Sequence, residues 1–382
     1  AQVEITGGTF SSNVSDYIPS GMTQDKDGNV VVDTSKAVAS VNGVGYDDLQ
    51  KAINAAGNGD TVKLLNNVVA EKTIKIKTSQ SVVLDLDIYK ISDSESLTTA
   101  TTLIENNGTL TITGEGTIDA TEPTSLIYAI ENRSGGKLTV ASGTIKGRCE
   151  GIRSVNGTVT ITGGEISTET QTGTNNSAIY VYGGEVSISG DAKITGVNTA
   201  VRVAGGKLSI SENADLSGQF GVTLFNKDES NQQGETPASL IMTGGTIQAN
   251  GGFALSGNNL KSAGCSADIT GGSLEQTTGE TCIYWPMEGN LTVGGNAVVV
   301  GGSGIEAKMG TIAIQGRAEI RGTGAYLADE PIANGSQADG SAILVSTQMY
   351  GNNAGQYISS PNLTVTITGG TLQSTQGNAV TV

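Results

Sequence analysis

The chain has 382 residues, 37 of them acidic against 21 basic, with a formal charge of −16 and no histidine. This balance repels phosphate backbones and anionic lipid, so nucleic acid is not an expected partner, and the missing imidazole excludes Ser-His-Asp triads, Cys-His pairs and His-bound metals. With 55 glycines, 6 prolines and only 4% aromatics, turns must be frequent and buried layers must be built from Val, Ile, Leu and Ala, which suits many short strands.

The chain opens on AQVEITGGTF and closes on GNAVTV inside a recurrent phrase, which suggests a segment of a longer exported protein. No apolar run approaches the roughly 20 residues that span a bilayer, so no membrane insertion is expected within it. In YDDLQKAINAAGNGDTVKLLNNV (46–68), Leu49, Ala52, Ile53 and Ala56 fall on one helical face. Gly57 and Gly59 stop that helix, and Val62, Leu64 and Leu65 begin a strand. Asp85 and Asp87 in VVLDLDIYK are placed on one side of an early coil, with a solvated strand face as the plain reading.

From residue 109 the sequence repeats itself. TLTITGEGTI (109–118), KLTVASGTI (137–145), TVTITGGEI (158–166) and EVSISGDAKI (185–194) are followed by six further variants, ending with LTVTITGGTL (363–372). Aligning Leu110, Leu138, Val159, Val186, Leu208, Leu240, Ala267, Leu291, Ile312 and Val365 gives a period near 24 residues with insertions, the signature of a solenoid. Each unit divides into an apolar-polar-apolar strand, a Gly-rich turn, a second strand carrying Ile118, Ile145 or Ile166, and a third such as AIEN, GIRS or AIYV. Alternation at period two turns one face of every strand inward, and three strands per unit predict a parallel β-helix of about ten or more coils. Each coil borrows hydrogen-bond partners from the next, so an edge-covering element at the N-terminal end is required. The glycine pair Gly163-Gly164 marks a tight corner where positive φ is expected.

GTLTITGEGTI, GGKLTVASGTIKG and NGTVTITGGEI resemble the pectin-lyase-like right-handed β-helix repeats of large surface proteins in Gram-positive gut bacteria. Residues 46–68 are similar to the opening of such units, where a short amphipathic helix covers the first coil. GGTFSSNVSDYIPSGMTQDKDGNVVV (7–32) resembles the phrase that closes a preceding unit. The resemblance implies three regions: 1–36 as the end of a preceding unit or an N-terminal extension, 37–108 as the cap region and first coils, and 109–382 as β-helix repeats. It implies an all-β fold and an extracellular, cell-surface or cell-wall-associated setting, and it carries no catalytic residue over.

Related β-helices include polysaccharide lyases and hydrolases, which need two facing carboxylates, or an Arg, Lys or Tyr base beside bound Ca²⁺. No such cluster recurs at matching positions here, so the reading is a non-catalytic cell-surface module, part adhesin and part spacer, without cofactor or metal, with a lyase or hydrolase and a purely structural stalk as alternatives. The third strand offers an outward column in which Glu131, Arg153, Tyr180, Arg202, Thr223, Leu255, Tyr284, Glu306 and Leu344 succeed one another, with Trp285 at its side. Arg153, Tyr180, Arg202, Tyr284, Trp285 and Glu306 are the candidate contacts for a host or dietary glycan, or for a surface protein. The plain alternative is that these side chains only cover apolar surface, and for Trp285 that it fills a corner. The first strand's outward column of Thr111, Thr139, Thr160, Ser187, Ser209, Ile241 and Asp268 reflects strand propensity. Polar insertions at 225–237 and 327–340 are loop tips or contact sites. Cys149, Cys265 and Cys282 show no metal-site spacing. They read as three small buried hydrophobes, or as a Cys265–Cys282 disulfide if stacking brings those two together. A monomer is expected.

Overall fold

A computed structural model describes residues 3–94, 97, 102–121, 128–169, 176–226, 237–258, 264–325, 335–346, 348–350, 357–359 and 362–382, without the side chains of 348–350 and 357–359. The protein is nearly all β and solenoid-like, dominated by one long sheet of mostly parallel strands. The pairing follows a simple rule through most of the chain: three successive strands run past three different neighbours, and the next three stack on them in turn. Three ladders result.

The first ladder contains Thr109–Thr113, Lys137–Val140, Thr158–Ile161 and Glu185–Ile188. Its register sets Leu110 beside Leu138, Leu138 beside Val159, and so on through Leu208, Leu240, Ala267, Leu291 and Ile312 to Val365. Every residue aligned from the repeat lands on this one line. In the second ladder Ile118, Ile145, Ile166, Ile194 and Leu216 stack in order. In the third, Ile130, Ile152, Ile179, Val201 and Val222 do the same. All of these except Val365 are buried and belong to one continuous core. Each enclosed aliphatic side chain contributes about 1.5–3 kcal/mol relative to exposure, and each strand supplies the backbone partners its neighbour lacks.

The corner between the first and second ladders explains the glycine pair. Gly164 has φ +78°, and a Cβ there would lie 2.5 Å from the carbonyl oxygen of Gly143 in the preceding rung. Gly163 meets a different constraint: its backbone is ordinary, but a Cβ would come 2.5 Å from the Ala141 carbonyl oxygen. At the corner between the third and first ladders, where strands Thr102–Asn106 and Tyr128–Asn132 end, buried asparagines replace missing backbone partners. Asn106 Nδ2 donates to Asn132 Oδ1 at 2.7 Å and to the Lys137 carbonyl, and Asn132 Nδ2 donates to the carbonyls of Gly136 and Thr158. Some corners need no break at all: Lys193–Ala204 and Asp215–Phe225 each run as one strand through the second and third ladders.

At the N-terminal end the α-helix is Leu49–Ala55, with Asp48 accepting from the Lys51 amide and Leu49, Ala52 and Ile53 buried. The expected helix is therefore present, and strand Asp60–Leu64 follows it. A hairpin of Ala39–Val41 and Val44–Tyr46 pairs antiparallel onto Asp60–Leu64, an element the alternation of the repeat does not announce. Residues before it carry a separate small cluster of Val14, Met22 and Val30 beside the antiparallel pair Met22–Gln24 and Val30–Val32.

Candidate functional site

The third ladder holds the expected column, and its register is unbroken. Glu131 pairs with Arg153, Arg153 with Tyr180, Tyr180 with Arg202, Arg202 with Thr223, Thr223 with Ser256, Ser256 with Tyr284 and Tyr284 with Glu306. Ser256 takes the place assigned to Leu255. Leu255 pairs with Val222 on one side and Ile283 on the other and is buried in the core, so it holds the inward position of its strand.

The side chains of the column are stacked on one another. The Arg153 guanidinium lies 4.6 Å from the ring centroid of Tyr128 and 4.9 Å from that of Tyr180. Arg202 lies 5.5 Å from Tyr180 and 4.8 Å from Phe225. Five side chains thus alternate aromatic, cation, aromatic, cation, aromatic. Arg153 also donates to the Tyr128 hydroxyl and pairs with Glu150 at 3.6 Å. Burial pushes the Tyr128 phenol above its ordinary value, against the opposing pull of Arg153. Tyr128 and Phe225 are diagonal neighbours: Tyr128 pairs with Glu150, three residues before Arg153, and Phe225 pairs with Ala204, two residues after Arg202. A rung-by-rung reading of the sequence misses them.

Stacking closes much of the column. Tyr180 is 4% and Arg202 8% exposed, whereas the Arg153 side chain retains 26%. Further along, a second aromatic row runs from Phe220 to Phe253, at 6.0 Å and tilted, and from Phe253 to Tyr284, at 4.8 Å and stacked. The Tyr284 hydroxyl donates to the Gly335 carbonyl, and burial raises its pKa strongly.

Glu306 is fully enclosed. It pairs with Lys308 at 3.2 Å, accepts from Thr281 at 3.3 Å, from Ser336 and from the Gln337 amide, and Lys308 reaches Ser346. Burial, the largest influence, pushes the Glu306 carboxyl up despite Lys308 and these donors. Residues 335–337 therefore lie over the Tyr284–Glu306 part of the column. The rest of the expected insertions, 227–236 and 327–334, lie outside the described residues.

Trp285 is not beside the column. It alternates inward from Tyr284, pairs with Ala307 and is wholly within the core, so it fills interior volume and offers no ligand platform. Cys265 and Cys282 are both buried and unbridged. Cys265 pairs with Gly289 in the first ladder, while Cys282 directly precedes Ile283 in the third, so the ladder geometry directs them to different walls. Asp85 accepts from the Asp87 amide in a turn, and Asp87 pairs with Lys63 at 3.0 Å; the two carboxylates are tied up locally. The threonine column holds its register through Thr111, Thr139, Thr160, Ser187 and Ser209. Among the described residues no group of three or more Asp, Glu or Cys is placed to hold a metal, and no helix is long and apolar enough to cross a membrane.

The chain matches no family model, no curated protein and no solved structure. The functional reading therefore rests on the ladders and their side chains.

Proposed function

We propose that this protein is a non-catalytic surface module, a right-handed parallel β-helix of the pectin-lyase-like class that serves as a spacer and holds glycan along its third-ladder face. The N-terminal hairpin and helix act as the cap of that β-helix. The module belongs to an extracellular, cell-wall-associated protein. The supporting observation is the single register carried through each ladder, from the first repeats to Val365, Leu372 and Val380. A rod built this way is stiff, because bending it would break backbone pairs on one wall.

A lyase or hydrolase would require an accessible acid or base. Glu306, whose pKa burial raises, is sealed beneath residues 335–337 and neutralised by Lys308. For glycan contact, the partly open Arg153 and the half-buried row Phe220, Phe253 and Tyr284 offer a cation and ring faces. Rings and guanidinium planes of this kind stack on sugars.

The test is incubation of the protein with acidic and neutral polysaccharides, with bound and released carbohydrate measured together. Retention without new reducing or unsaturated ends is expected, weakened by Arg153→Ala. Released products would establish an enzyme instead, and the absence of any retention would leave only the stalk.

A further inference from the structure

We infer that the corner between the second and third ladders carries a subsite for a neutral oligosaccharide, formed by Thr195, Val197, Ser217, Gln219 and Asn250. The inference deepens the glycan-holding reading above and rests on it.

The site follows from chain length. Residues 169–176 separate strand Glu165–Thr168 from Ser177–Tyr182, and residues 277–282 separate Cys265–Gln276 from Ile283–Trp285. Between these longer connections, Lys193–Ala204 and Asp215–Phe225 pass the corner with no connecting segment. The surface is recessed there by about 480 Å³. The rungs are locked together by the Asn250 amide donating to the Gly218 carbonyl at 3.0 Å and the Gly252 amide to the Gln219 carbonyl at 2.7 Å. At about 4.8 Å per rung, the recess runs along the axis for about the length of two sugar rings.

Its chemistry is that of an uncharged polyol site. Thr195 and Ser217 pair in the ladder, their hydroxyl oxygens 3.4 Å apart. The Gln219 side-chain oxygen Oε1 accepts from Asn198 Nδ2 at 3.2 Å, which fixes the amide and turns its NH₂ to a different direction. Asn250 is exposed. Hydroxyls and primary amides each present a donor and an acceptor, matching sugar hydroxyls, which need both. The floor includes Gly218, where a Cβ would stand 2.7 Å from backbone oxygens of Gly196 and Phe220, so the missing side chain lets neighbouring rungs pack closely at the base of the recess. Val197 supplies apolar contact for the C–H face of a pyranose. No titratable side chain lines the recess, so a uronate would find no counter-charge there, and the net charge of −16 would oppose it.

The experiment is titration calorimetry of the whole chain with cellohexaose, xylohexaose, mannohexaose and chitohexaose, and separately with polygalacturonate. At least one neutral hexamer is expected to bind, with affinity falling about tenfold or more in Gln219→Ala and in Asn250→Ala, and unchanged in Thr139→Ala on the first-ladder face. Circular dichroism melts confirm that the variants fold. Neutral binding that survives the Gln219→Ala/Asn250→Ala double variant, or that is lost only with Arg153→Ala, overturns the subsite. Binding of polygalacturonate alone overturns the subsite while sparing the broader glycan-holding reading. Silence from every ligand ends both.

Discussion

Arg153 and Tyr180, paired across neighbouring rungs of the third ladder, stack with 4.9 Å between guanidinium carbon and ring centroid. The contact is part of a run of five side chains, so each cation is shared by two rings. A partly desolvated cation–π pair contributes about 1–2 kcal/mol. Arg153→Ala is therefore expected to destabilise the protein by about 2 kcal/mol or more, as two ring contacts and an ion pair go together. Arg153→Lys should restore less than half of this, because an ammonium keeps the charge but not the planar stack. Thermal melts of the two variants check the order, and equal melting temperatures for Ala and Lys would refute the stack.

The same column shows how far the sequence could be read. The inward positions were legible because a period of two on each strand and a period near 24 along the chain both point to the same residues, and apolar stacking leaves little freedom of register. The outward positions were legible as positions but not as surfaces. Whether Tyr180, Arg202 and Glu306 meet solvent depends on neighbours that stack diagonally, as Tyr128 and Phe225 do, and on residues 335–337 folding back over Glu306. Neither effect has a periodic signature. Trp285 illustrates the remaining ambiguity: one step along a strand separates the outer face from the core, and the proline after it obscured which step applied.

Glu306 gives a pH prediction with a definite sign. Its folded pKa lies above the ordinary carboxylate value of 4.5, so the folded state holds this proton more tightly than the unfolded chain does. The group's contribution is most favourable below about pH 4.5 and diminishes as pH rises through the folded pKa. In Glu306→Gln that dependence disappears, so the difference in melting temperature between the two proteins should change between pH 4 and pH 8 in the direction that disfavours the parent at high pH. Glu306→Ala, which takes the whole carboxyl away from the enclosed Lys308, should lose about 3 kcal/mol. Glu306→Ala/Lys308→Met should recover much of this. A double variant no more stable than the single would show that the ion pair is not what holds this region.

The thiols make a chemical prediction. Burial raises the Cys265 pKa to about 12 and pushes Cys282 higher still, so neither presents thiolate at pH 8. Iodoacetamide should label Cys149 first, with Cys265 and Cys282 reacting only after denaturation, and mass spectrometry of the untreated chain should find all three free. Prompt labelling of Cys282 in the native protein would contradict its enclosure.

Gln50 supplies the last prediction. Its side-chain amide donates to the Lys75 carbonyl at 3.0 Å and accepts from the Lys75 amide at 2.7 Å, doing for strand Ile74–Ile76 what a neighbouring strand does elsewhere in the third ladder. Lys75 pairs on its other side with the rung of Glu105, so without Gln50 one edge of the ladder would present open backbone groups. Gln50→Ala is expected to cost about 1–3 kcal/mol and, more tellingly, to promote association, because an uncovered edge recruits another chain. Light scattering after size-exclusion chromatography at rising concentration should show larger species for Gln50→Ala and not for Gln50→Glu, which still accepts from Lys75 and adds a repulsive charge. Equal association by the two variants would place the protection in the helix backbone instead of in this one amide.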